Sequence, residues 1–340
     1  MKELKRLEEL FQTGIEFAEN IRNGEKVVLV YDTDTDGIAS AVLVLNVLGK
    51  IGKRVKTVPM KFGDTETLKT KLKKFEKIIT VDVPIDLIEK NLLSLGKNML
   101  IIDHHPGRDL NSEKTILINP RLERPEIYQP TSYVVYKMFK DLIKEKKWVS
   151  ILGTVGDMGI EDCKDLVKIR NKKDVWKSKF GKAAMLLTAS IAVLGPERTL
   201  KILLDSRNLE ELVKNENILR ASLKFDQELK RCRKEFEKNL ETRGKILISK
   251  IKPKYKTVCS ALITKFATEN PEKIIFIFEE KEEFTRIHGR NSIGKIDVGK
   301  LFKELGIGGG HREAGAGTIK KDDEEKFKMK ILNKLRDFIG

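Results

Sequence analysis

In Val27-Val28-Leu29-Val30-Tyr31-Asp32-Thr33-Asp34-Thr35-Asp36-Gly37, an apolar run leads directly into three aspartates and a glycine. The same order recurs at residues 78–82, which end in Asp82, and at residues 99–105, which end in Asp103-His104-His105. A short apolar run followed by a helical pattern is typical of a buried strand in a parallel sheet. Ligands bind at the carboxyl ends of such strands. The sequence therefore predicts three acidic motifs at one edge of one sheet.

Carboxylates gathered at one edge repel each other unless cations lie among them, so the three motifs predict a metal site with more than one ion. In an extended segment, alternate residues point the same way, which lets Asp32, Asp34 and Asp36 act together. A calcium loop of this spacing would need a glutamate where the chain has Leu43. The simpler alternatives are a solvated acidic turn and, for Asp82, the cap of the helix that follows it.

The paired histidines are candidates for two different tasks. Side chains of adjacent residues diverge, so His104 can bind a metal while His105 faces a substrate as an acid or hydrogen-bond donor. Asp103 is expected to orient an imidazole. A further candidate ligand is Asp157, which lies among glycines in Gly153-Thr154-Val155-Gly156-Asp157-Met158-Gly159. The alternative for that stretch is an ordinary glycine-capped helix end.

Composition narrows the class of protein. The 340 residues are enough for two domains, each with its own core. No apolar stretch has the length of a membrane span, and the first residues lack the apolar core of a signal peptide, so we expect a cytoplasmic protein. Three distant cysteines fit a reducing compartment. The net charge of +16 favours a polyanionic partner such as nucleic acid; a lysine- and glutamate-rich thermophilic surface is the alternative.

Strand and helix patterns alternate through the first part of the chain. Strands are predicted near 26–31, 54–59, 77–82, 98–102 and 115–118. This rhythm predicts an α/β fold, a mostly parallel sheet with helices on both faces. In the last part we predict strands at 244–250, 256–264, 273–279, 284–289 and 315–320, helices at 297–305 and 323–338, and a glycine loop at 308–310. We therefore expect a catalytic domain over 1–205, a helical linker over 206–242 and a smaller α/β domain over 243–340.

The second domain carries candidates for phosphate binding. Backbone N–H groups of Gly308, Gly309 and Gly310 can surround phosphate oxygens, and His311 can add charge. Arg290 is a candidate phosphate clamp through its two-pronged donor geometry, with Ser292 beside it. The alternatives are a flexible hairpin for the glycines and an ordinary surface arginine for Arg290.

Taken in order, these motifs resemble the DHH phosphoesterase superfamily. Asp34-Thr35-Asp36-Gly37, Asp82, Asp103-His104-His105 and residues 153–157 resemble its four motifs, and the glycine stretch ending in His311 resembles its associated C-terminal domain. Within the superfamily the triple acid is most similar to that of archaeal RecJ-like nucleases. Family-II pyrophosphatases carry a histidine where this chain has Val30.

The resemblance implies two Mn²⁺ ions, with Mg²⁺ as the other possibility. It assigns Asp32 and Asp34 to the first ion, Asp36, His104 and Asp157 to the second, and makes Asp82 a bridge. It also implies that His105 contacts the scissile phosphate, that the glycines, His311 and Arg290 hold a neighbouring phosphate, and that the active site is the cleft between the domains.

The resemblance further implies an exonuclease that hydrolyses phosphodiester bonds of single-stranded DNA or RNA by a two-metal mechanism. Two alternatives stay open. The first is a small-substrate phosphoesterase, acting on nano-RNA, a nucleotide 3′-phosphate or a cyclic dinucleotide. The second is a non-catalytic replication scaffold, and the resemblance to archaeal RecJ-like nucleases implies the GINS replication complex as a partner.

Overall fold

The computed structural model describes residues 2–60, 65–169, 171–292, 294 and 296–338. The chain divides into two compact units, Met1–Ala221 and Ser222–Gly340. Among the described residues, no helix has the length and apolarity needed to cross a membrane.

The first unit is built on a five-stranded parallel sheet. Its strands are β1 (Val27–Tyr31), β2 (Lys56–Pro59), β3 (Lys77–Val81), β4 (Asn98–Ile102) and β5 (Thr115–Ile118). Their order is β2-β1-β3-β4-β5, and every neighbouring pair is parallel. The ends of β1, β3 and β4 are in register, since Tyr31 pairs with Val81 and Val81 pairs with Ile102. The three predicted acidic motifs therefore begin side by side.

Both faces of this sheet are covered by a hydrophobic core. Alternate residues of each strand point to opposite faces, so each strand contributes side chains to both cores. Leu29 and Tyr31 lie in one core cluster, while Val28 and Val30 lie in another on the opposite face. The predicted fold class is confirmed. The helices of this unit are α1 (Lys2–Glu19), α2 (Thr35–Lys50), α3 (Thr65–Leu72), α4 (Ile85–Asn91), α5 (Pro120–Glu123), α6 (Thr131–Phe139), α7 (Lys147–Gly156), α8 (Lys179–Leu194), α9 (Pro196–Asp205) and α10 (Leu209–Lys214). Helix α11 (Glu216–Lys238) begins in this unit and ends in the second.

The second unit is a smaller α/β unit with a mixed sheet. Its strands are β6 (Glu241–Arg243), β7 (Ile246–Ile251), β8 (Ile274–Glu280), β9 (Phe284–Asn291), β10 (Gly308–Gly310) and β11 (Ala314–Lys320). They run in the order β10-β11-β9-β8-β7-β6, with only β7 and β8 parallel among these pairs. The remaining helices are α12 (Val258–Glu269), α13 (Val298–Glu304) and α14 (Glu324–Lys334).

Two predicted elements of the second unit are wrong. Residues 256–264 were expected to form a strand, but α12 occupies this stretch and buries apolar side chains at helical spacing: Val258, Cys259, Leu262, Ile263, Phe266 and Ala267. A short apolar run with β-branched residues does not distinguish a buried helix from a strand. Gly308–Gly310 form an edge strand rather than a loop. A Cβ on Gly308 would lie 2.1 Å from the carbonyl oxygen of Ala316, so this strand pairs too closely with β11 for a side chain there.

Candidate metal centre

The carboxyl ends of three neighbouring strands carry Asp32, Asp82 and Asp103. Each of these residues donates its backbone N–H to the last residue of the next strand in the sheet. Asp32 donates to Val81 at 3.3 Å, and Asp82 donates to Ile102 at 3.0 Å. Asp103 donates to Ile118 at 3.0 Å. The sheet ladder thus continues one residue beyond the strands and fixes the backbone of all three acidic residues.

The first turn of α2 brings in Asp34 and Asp36. Asp34 caps this helix, accepting the N–H of Gly37 at 2.8 Å through Oδ1. Asp36 is 1% exposed and faces the start of α6. There its carboxylate accepts the N–H of Thr131 at 2.7 Å, the N–H of Ser132 at 3.2 Å and the hydroxyl of Ser132. A helix N-terminus supplies free N–H groups and positive potential, so this buried carboxylate is held by donors that suit its charge.

Position 37 requires glycine because the backbone of Asp32 lies very close to it, and not because of an unusual turn conformation. It lies inside α2, and a Cβ at this position would lie 2.4 Å from the carbonyl oxygen of Asp32. The absence of a side chain lets the helix begin directly against the end of β1, which keeps Asp34 and Asp36 near Asp32.

His104 and Asp157 complete the cluster. Nε2 of His104 lies 3.3 Å from Asp82 Oδ1 and 3.6 Å from Asp157 Oδ2. Asp157 follows α7 and accepts the hydroxyl of Tyr128 at 2.7 Å. The Tyr128 ring packs edge-on against the His104 ring, with centroids 5.2 Å apart. The predicted residues are therefore drawn together from four separate segments of the chain.

We call Asp32, Asp34, Asp36, Asp82, His104 and Asp157 the acidic centre. Within it, one ligand atom from each of Asp32, Asp34 and Asp82 lies within 4.8 Å of the others. The same holds for Asp36, His104 and Asp157, and also for Asp82, His104 and His105. Asp82 thus connects the two sets of carboxylates through its contact with His104. The acidic centre can offer two neighbouring positions to cations.

The pKa values of the carboxylates in the acidic centre indicate that these groups lack a balancing positive charge. Burial and the neighbouring Asp34 raise the pKa of Asp32 to about 7. Burial raises the pKa of Asp36 and of Asp82 well above the usual range, and neighbouring carboxylates raise each further. Burial, with a contribution from Asp34, raises the pKa of Asp157 to about 6. Since burial without a cationic partner and repulsion between carboxylates cause these shifts, bound cations would oppose them.

His104 also fits a metal ligand. It is 3% exposed, and burial together with the charges of His105 and Arg121 lowers its pKa to about 3. The imidazole is therefore neutral at physiological pH, which is the form that binds metals. Its Nδ1 is buried and has no hydrogen-bond partner among the described residues. Five carboxylates and one neutral imidazole are donors that suit a hard or borderline divalent cation.

His105 is held by Asp103 and keeps one nitrogen free. Its Nδ1 lies 2.8 Å from Asp103 Oδ1, and its backbone N–H donates to Asp103 Oδ2 at 3.1 Å. Burial alone would lower the pKa of His105, but the hydrogen bond and charge of Asp103 raise it above the ordinary value. The side chain is one-third exposed, and Nε2 has no hydrogen-bond partner within the described ranges. This geometry supports the expected orienting role of Asp103.

Two residues of the site hold a left-handed backbone. Asp82 has φ of 62° and Met158, directly after Asp157, has φ of 58°. Such a conformation is uncommon outside glycine, and for a residue like methionine it carries strain that surrounding contacts must offset. Asp82 is therefore a candidate ligand at a backbone position that local preference would not select, whereas Asp157 keeps a negative φ of −94° and only its neighbour Met158 is left-handed.

The predicted substrate-binding residues lie together in the second unit. Arg290 pairs with Ala314 across β9 and β11, next to the turn that carries His311. Arg290 is partly buried, and its guanidinium forms no ion pair within the described part of the chain. His311 is exposed, whereas Ser292 donates its hydroxyl to the carbonyl of Ala267 at 3.1 Å. Gly308, Gly309 and Gly310 pair with β11, so they do not form the loop expected around a phosphate. The phosphate-binding role of these residues stays a prediction.

A second group of possible ligands lies under α12, and we call Cys259, Glu279 and His288 the cysteine cluster. One ligand atom from each lies within 4.8 Å of the others. Glu279 is 5% exposed, contacts His288 Nε2 at 2.8 Å and contacts Lys281 Nζ at 2.5 Å. Burial alone would raise the pKa of Glu279, but these two partners lower it. Lys281 already balances the negative charge of Glu279, so the cysteine cluster does not need a metal ion.

The sequence did not reveal the residues that support the acidic centre. Thr131 and Ser132 hold Asp36 from 95 and 96 positions away, and Thr131 also donates its hydroxyl to Asp82 Oδ1 at 2.9 Å. Tyr128 holds Asp157, and Asn119 donates its amide to the carbonyl of His105 at 2.8 Å. The only local sign was Asn119-Pro120, which follows an apolar run in the same way as the acidic motifs do.

Two family models match the chain. Residues 26–158 match the DHH family N-terminal domain, and residues 243–340 match the DHHA1 domain. Together these matches span more than half of the sequence, and the first contains every residue of the acidic centre. The chain belongs to the DHH phosphoesterase superfamily. No curated protein matches it.

Solved structures share the fold of this DHH chain at low sequence identity. RecJ from Thermus thermophilus in complex with Mn²⁺ matches with a TM-score of 0.76 and 16% identity, covering 98% of this chain but only 55% of RecJ. An exonuclease RecJ bound to manganese matches with a TM-score of 0.67 and 17% identity, covering 95% and 92%. A pGpG-specific phosphodiesterase from Vibrio cholerae matches with a TM-score of 0.52 and 14% identity, covering 92% and 99%. At these identities the likeness shows the fold.

Proposed function

We propose that this DHH chain is an exonuclease that hydrolyses phosphodiester bonds of single-stranded DNA or RNA, with two Mn²⁺ ions in the acidic centre. The observation that carries the proposal is the pair of ligand groups in one partly buried site: Asp32, Asp34 and Asp82 on one side, and Asp36, His104 and Asp157 on the other. Two adjacent cation positions are what phosphodiester hydrolysis by two metals requires.

The donor set suits the proposed ions. Asp32 and Asp34 would hold the first, Asp36, His104 and Asp157 the second, and Asp82 would serve both. Mostly carboxylate oxygens with one imidazole favour Mn²⁺ over Mg²⁺, which prefers oxygen and water alone. When bound, such a pair of ions stabilises the charge that develops on the attacking and leaving oxygens of the phosphate.

His105 would assist the reaction from beside the ions. Asp103 holds its Nδ1, which leaves Nε2 to donate a hydrogen bond to a phosphate oxygen or a proton to the departing oxygen. The raised pKa of His105 keeps a larger share of the imidazole protonated at neutral pH. The carboxylate of Asp103 would stabilise that protonated form, as it does in other oriented acid–base pairs.

Charge and the second unit support a polyanionic substrate. The net charge of +16 favours binding to a phosphate backbone. Arg290, whose guanidinium forms no ion pair with any described residue, can donate two parallel hydrogen bonds to one phosphate. We propose that Arg290, Ser292, His311 and the strand Gly308–Gly310 contact phosphates of the substrate.

A second candidate function is hydrolysis of a small substrate such as a dinucleotide or a nano-RNA. The observation that favours it is that this chain spans 99% of a pGpG-specific phosphodiesterase, a length that it shares with one exonuclease RecJ (92%) but not with the Thermus RecJ chain (55%). The second candidate uses the same acidic centre and differs only in the length of the substrate.

A ladder of end-labelled single strands tests both candidates. DNA and RNA oligomers, from dinucleotides to strands of several tens of nucleotides, are incubated with Mn²⁺, with Mg²⁺ and with EDTA. Stepwise shortening of long strands supports the exonuclease, while cleavage confined to the shortest oligomers supports the small-substrate enzyme. If no oligomer is cleaved with either metal, the catalytic proposal is wrong, and the result favours the alternative of a non-catalytic replication scaffold.

The dependence of binding on salt gives an independent measurement. If the positive surface neutralises several phosphates of a long strand, the logarithm of the affinity should fall steeply and linearly with the logarithm of the salt concentration, through release of counterions. A small substrate touches few basic residues, so its affinity should change little over the same range.

A further inference from the structure

Arg121 lies just beyond the carboxyl end of β5, at the same edge of the parallel sheet as the acidic centre. It is the second residue of α5, which starts directly after β5. Asn119, between them, accepts the N–H of Arg121 at 3.0 Å through Oδ1 and donates its amide to the carbonyl of His105 at 2.8 Å. One side chain therefore ties the backbone of Arg121 to the loop that carries His104 and His105.

The guanidinium of Arg121 lies one aromatic ring away from two proposed metal ligands. Its Cζ stands 5.7 Å from the centroid of the Tyr128 ring. The hydroxyl of the same tyrosine donates to Asp157, and its ring packs against His104. A guanidinium stacked on an aromatic face has its orientation restricted while its N–H groups stay available.

The side chain of Arg121 differs from those of nearby arginines, which pair with glutamates. Arg6 pairs with Glu123, the acidic residue two positions after Arg121, at 2.9 Å. Arg108 pairs with Glu89, and Arg124 pairs with Glu126 at 3.1 Å. Within the described ranges Arg121 forms no ion pair and no side-chain hydrogen bond, although the tyrosine on whose ring it stands holds Asp157. An oriented, partly buried guanidinium with no protein partner among the described residues is suited to bind an anionic ligand.

We propose that Arg121 binds a phosphate oxygen of the substrate at the acidic centre and so selects for phosphate esters over other anions. The proposal rests on the proposed function for the class of substrate, and it concerns a residue outside the sequence motifs. Tyr128 is then a positioning residue, because it carries the guanidinium on its ring and holds Asp157 with its hydroxyl. Arg121 adds a fixed positive charge that stays in place whether or not cations are bound.

The experiment compares Arg121→Ala, Arg121→Lys and Arg124→Ala in the full chain. Arg124→Ala is the matched control, since this exposed arginine of the same segment pairs with Glu126. The probe is adenosine monophosphate, titrated calorimetrically into the manganese-loaded proteins, with bound manganese and thermal unfolding measured alongside. Loss of a charged hydrogen bond predicts about 10–100-fold weaker binding for Arg121→Ala. Arg121→Lys should recover part of the affinity, and Arg124→Ala should match the wild type, with equal manganese in all four proteins.

The outcomes separate this proposal from the proposed function. Wild-type affinity in a folded Arg121→Ala protein would overturn the role of Arg121, even if the wild type digests long strands. Loss of manganese along with affinity would also overturn it, because Arg121 would then act through the metals. If the wild type cleaves no oligomer but Arg121→Ala still weakens binding of the monophosphate, the nuclease proposal fails and the phosphate contact stands. No binding by the wild type would contradict the phosphate site itself.

Discussion

The acidic centre and the cysteine cluster both gather three-ligand groups with atoms within 4.8 Å of each other, yet their electrostatics are opposite. In the acidic centre, burial and neighbouring carboxylates raise the pKa of Asp36 and Asp82. In the cysteine cluster, His288 and Lys281 lower the pKa of Glu279, which is also buried. One group of side chains lacks positive charge, and the other already contains it.

The contrast shows that proximity of ligand residues does not by itself indicate a metal site. A buried carboxylate needs a charge partner, and the sign of its pKa shift reports whether the protein has supplied one. Glu279 has a protein cation 2.5 Å away, whereas the partners of Asp36 are neutral donors from Thr131 and Ser132. We therefore expect metal binding at the acidic centre and ordinary structural behaviour at the cysteine cluster.

The largest expected effect follows the loss of a shared ligand. Asp82→Asn keeps the size of the side chain and tolerates the left-handed backbone of this position, but it removes a charge from the proposed bridge. Because a bound cation contributes several kcal/mol of transition-state stabilisation, we expect a fall in kcat of at least about 10³-fold. Elemental analysis of the purified protein should show loss of bound metal.

Asp141→Asn is the control for this variant, since Asp141 is exposed and pairs with Lys144 on the surface. It should keep both the metal and the activity. Full hydrolysis by a folded Asp82→Asn protein would contradict the assignment of the acidic centre as the metal site.

The next largest effects are expected from substitutions of the two adjacent histidines, and the two substitutions should differ in their effect on bound metal. His104→Ala removes an imidazole ligand, so bound metal should fall together with activity. His105→Ala should keep the metal and slow turnover by about 10²–10⁴-fold if His105 transfers a proton. Metal content and kcat are measured on both variants. Equal loss of metal in the two would mean that both histidines are ligands and that Asp103 orients a ligand rather than an acid.

The part of the site that lies on strand ends could be predicted from the sequence. Apolar runs before Asp32, Asp82 and Asp103 indicate buried parallel strands, and parallel strands bring their carboxyl ends together. Topology alone therefore predicts which acidic residues meet. The structure agrees with that part of the prediction, although the role of each ligand stays a prediction.

The supporting contacts could not be predicted in the same way. Thr131, Ser132 and Tyr128 reach the acidic centre from a loop and a helix start whose position depends on how α6 packs on the sheet, and no periodicity records that packing. The cysteine cluster was missed for a related reason: residues 256–264 were predicted to be a strand, which hides that Cys259 lies on a helix covering β8 and β9. Tertiary packing decided both cases.

A smaller effect is expected from Tyr128→Phe. This change keeps the aromatic ring against His104 and removes only the hydroxyl that holds Asp157. Loss of a hydrogen bond that orients a metal ligand typically costs about 10–100-fold in metal affinity or activity. Manganese titration measures the affinity. Tyr133→Phe is the matched control, because its hydroxyl contacts Asp165 at 3.0 Å outside the acidic centre; equal losses in the two variants would contradict a specific role for Tyr128.

The smallest expected effects are on stability, and their signs differ between the two regions. In EDTA at neutral pH, Asp82→Asn should raise the thermal unfolding temperature, Tm, of the protein. The folded state raises the pKa of Asp82, so its ionised form destabilises the fold at any pH above the unfolded value, and asparagine removes that charge. Glu279→Gln should lower Tm under the same conditions. The folded state lowers the pKa of Glu279, so the stability that it contributes is present at neutral pH and is lost as the pH falls.

For Glu279→Gln we expect a loss of about 1–3 kcal/mol, since His288 and Lys281 would each lose a charged partner. Glu282→Gln, an exposed change in the turn between β8 and β9, should leave Tm unchanged.

Addition of Mn²⁺ sharpens the comparison, because a ligand that binds the folded state stabilises it. Mn²⁺ should raise Tm of the wild type and of Glu279→Gln by similar amounts and should leave Asp82→Asn nearly unaffected. If Mn²⁺ instead stabilises Asp82→Asn fully but not Glu279→Gln, the cysteine cluster binds the metal, and the contrast between the two regions is reversed.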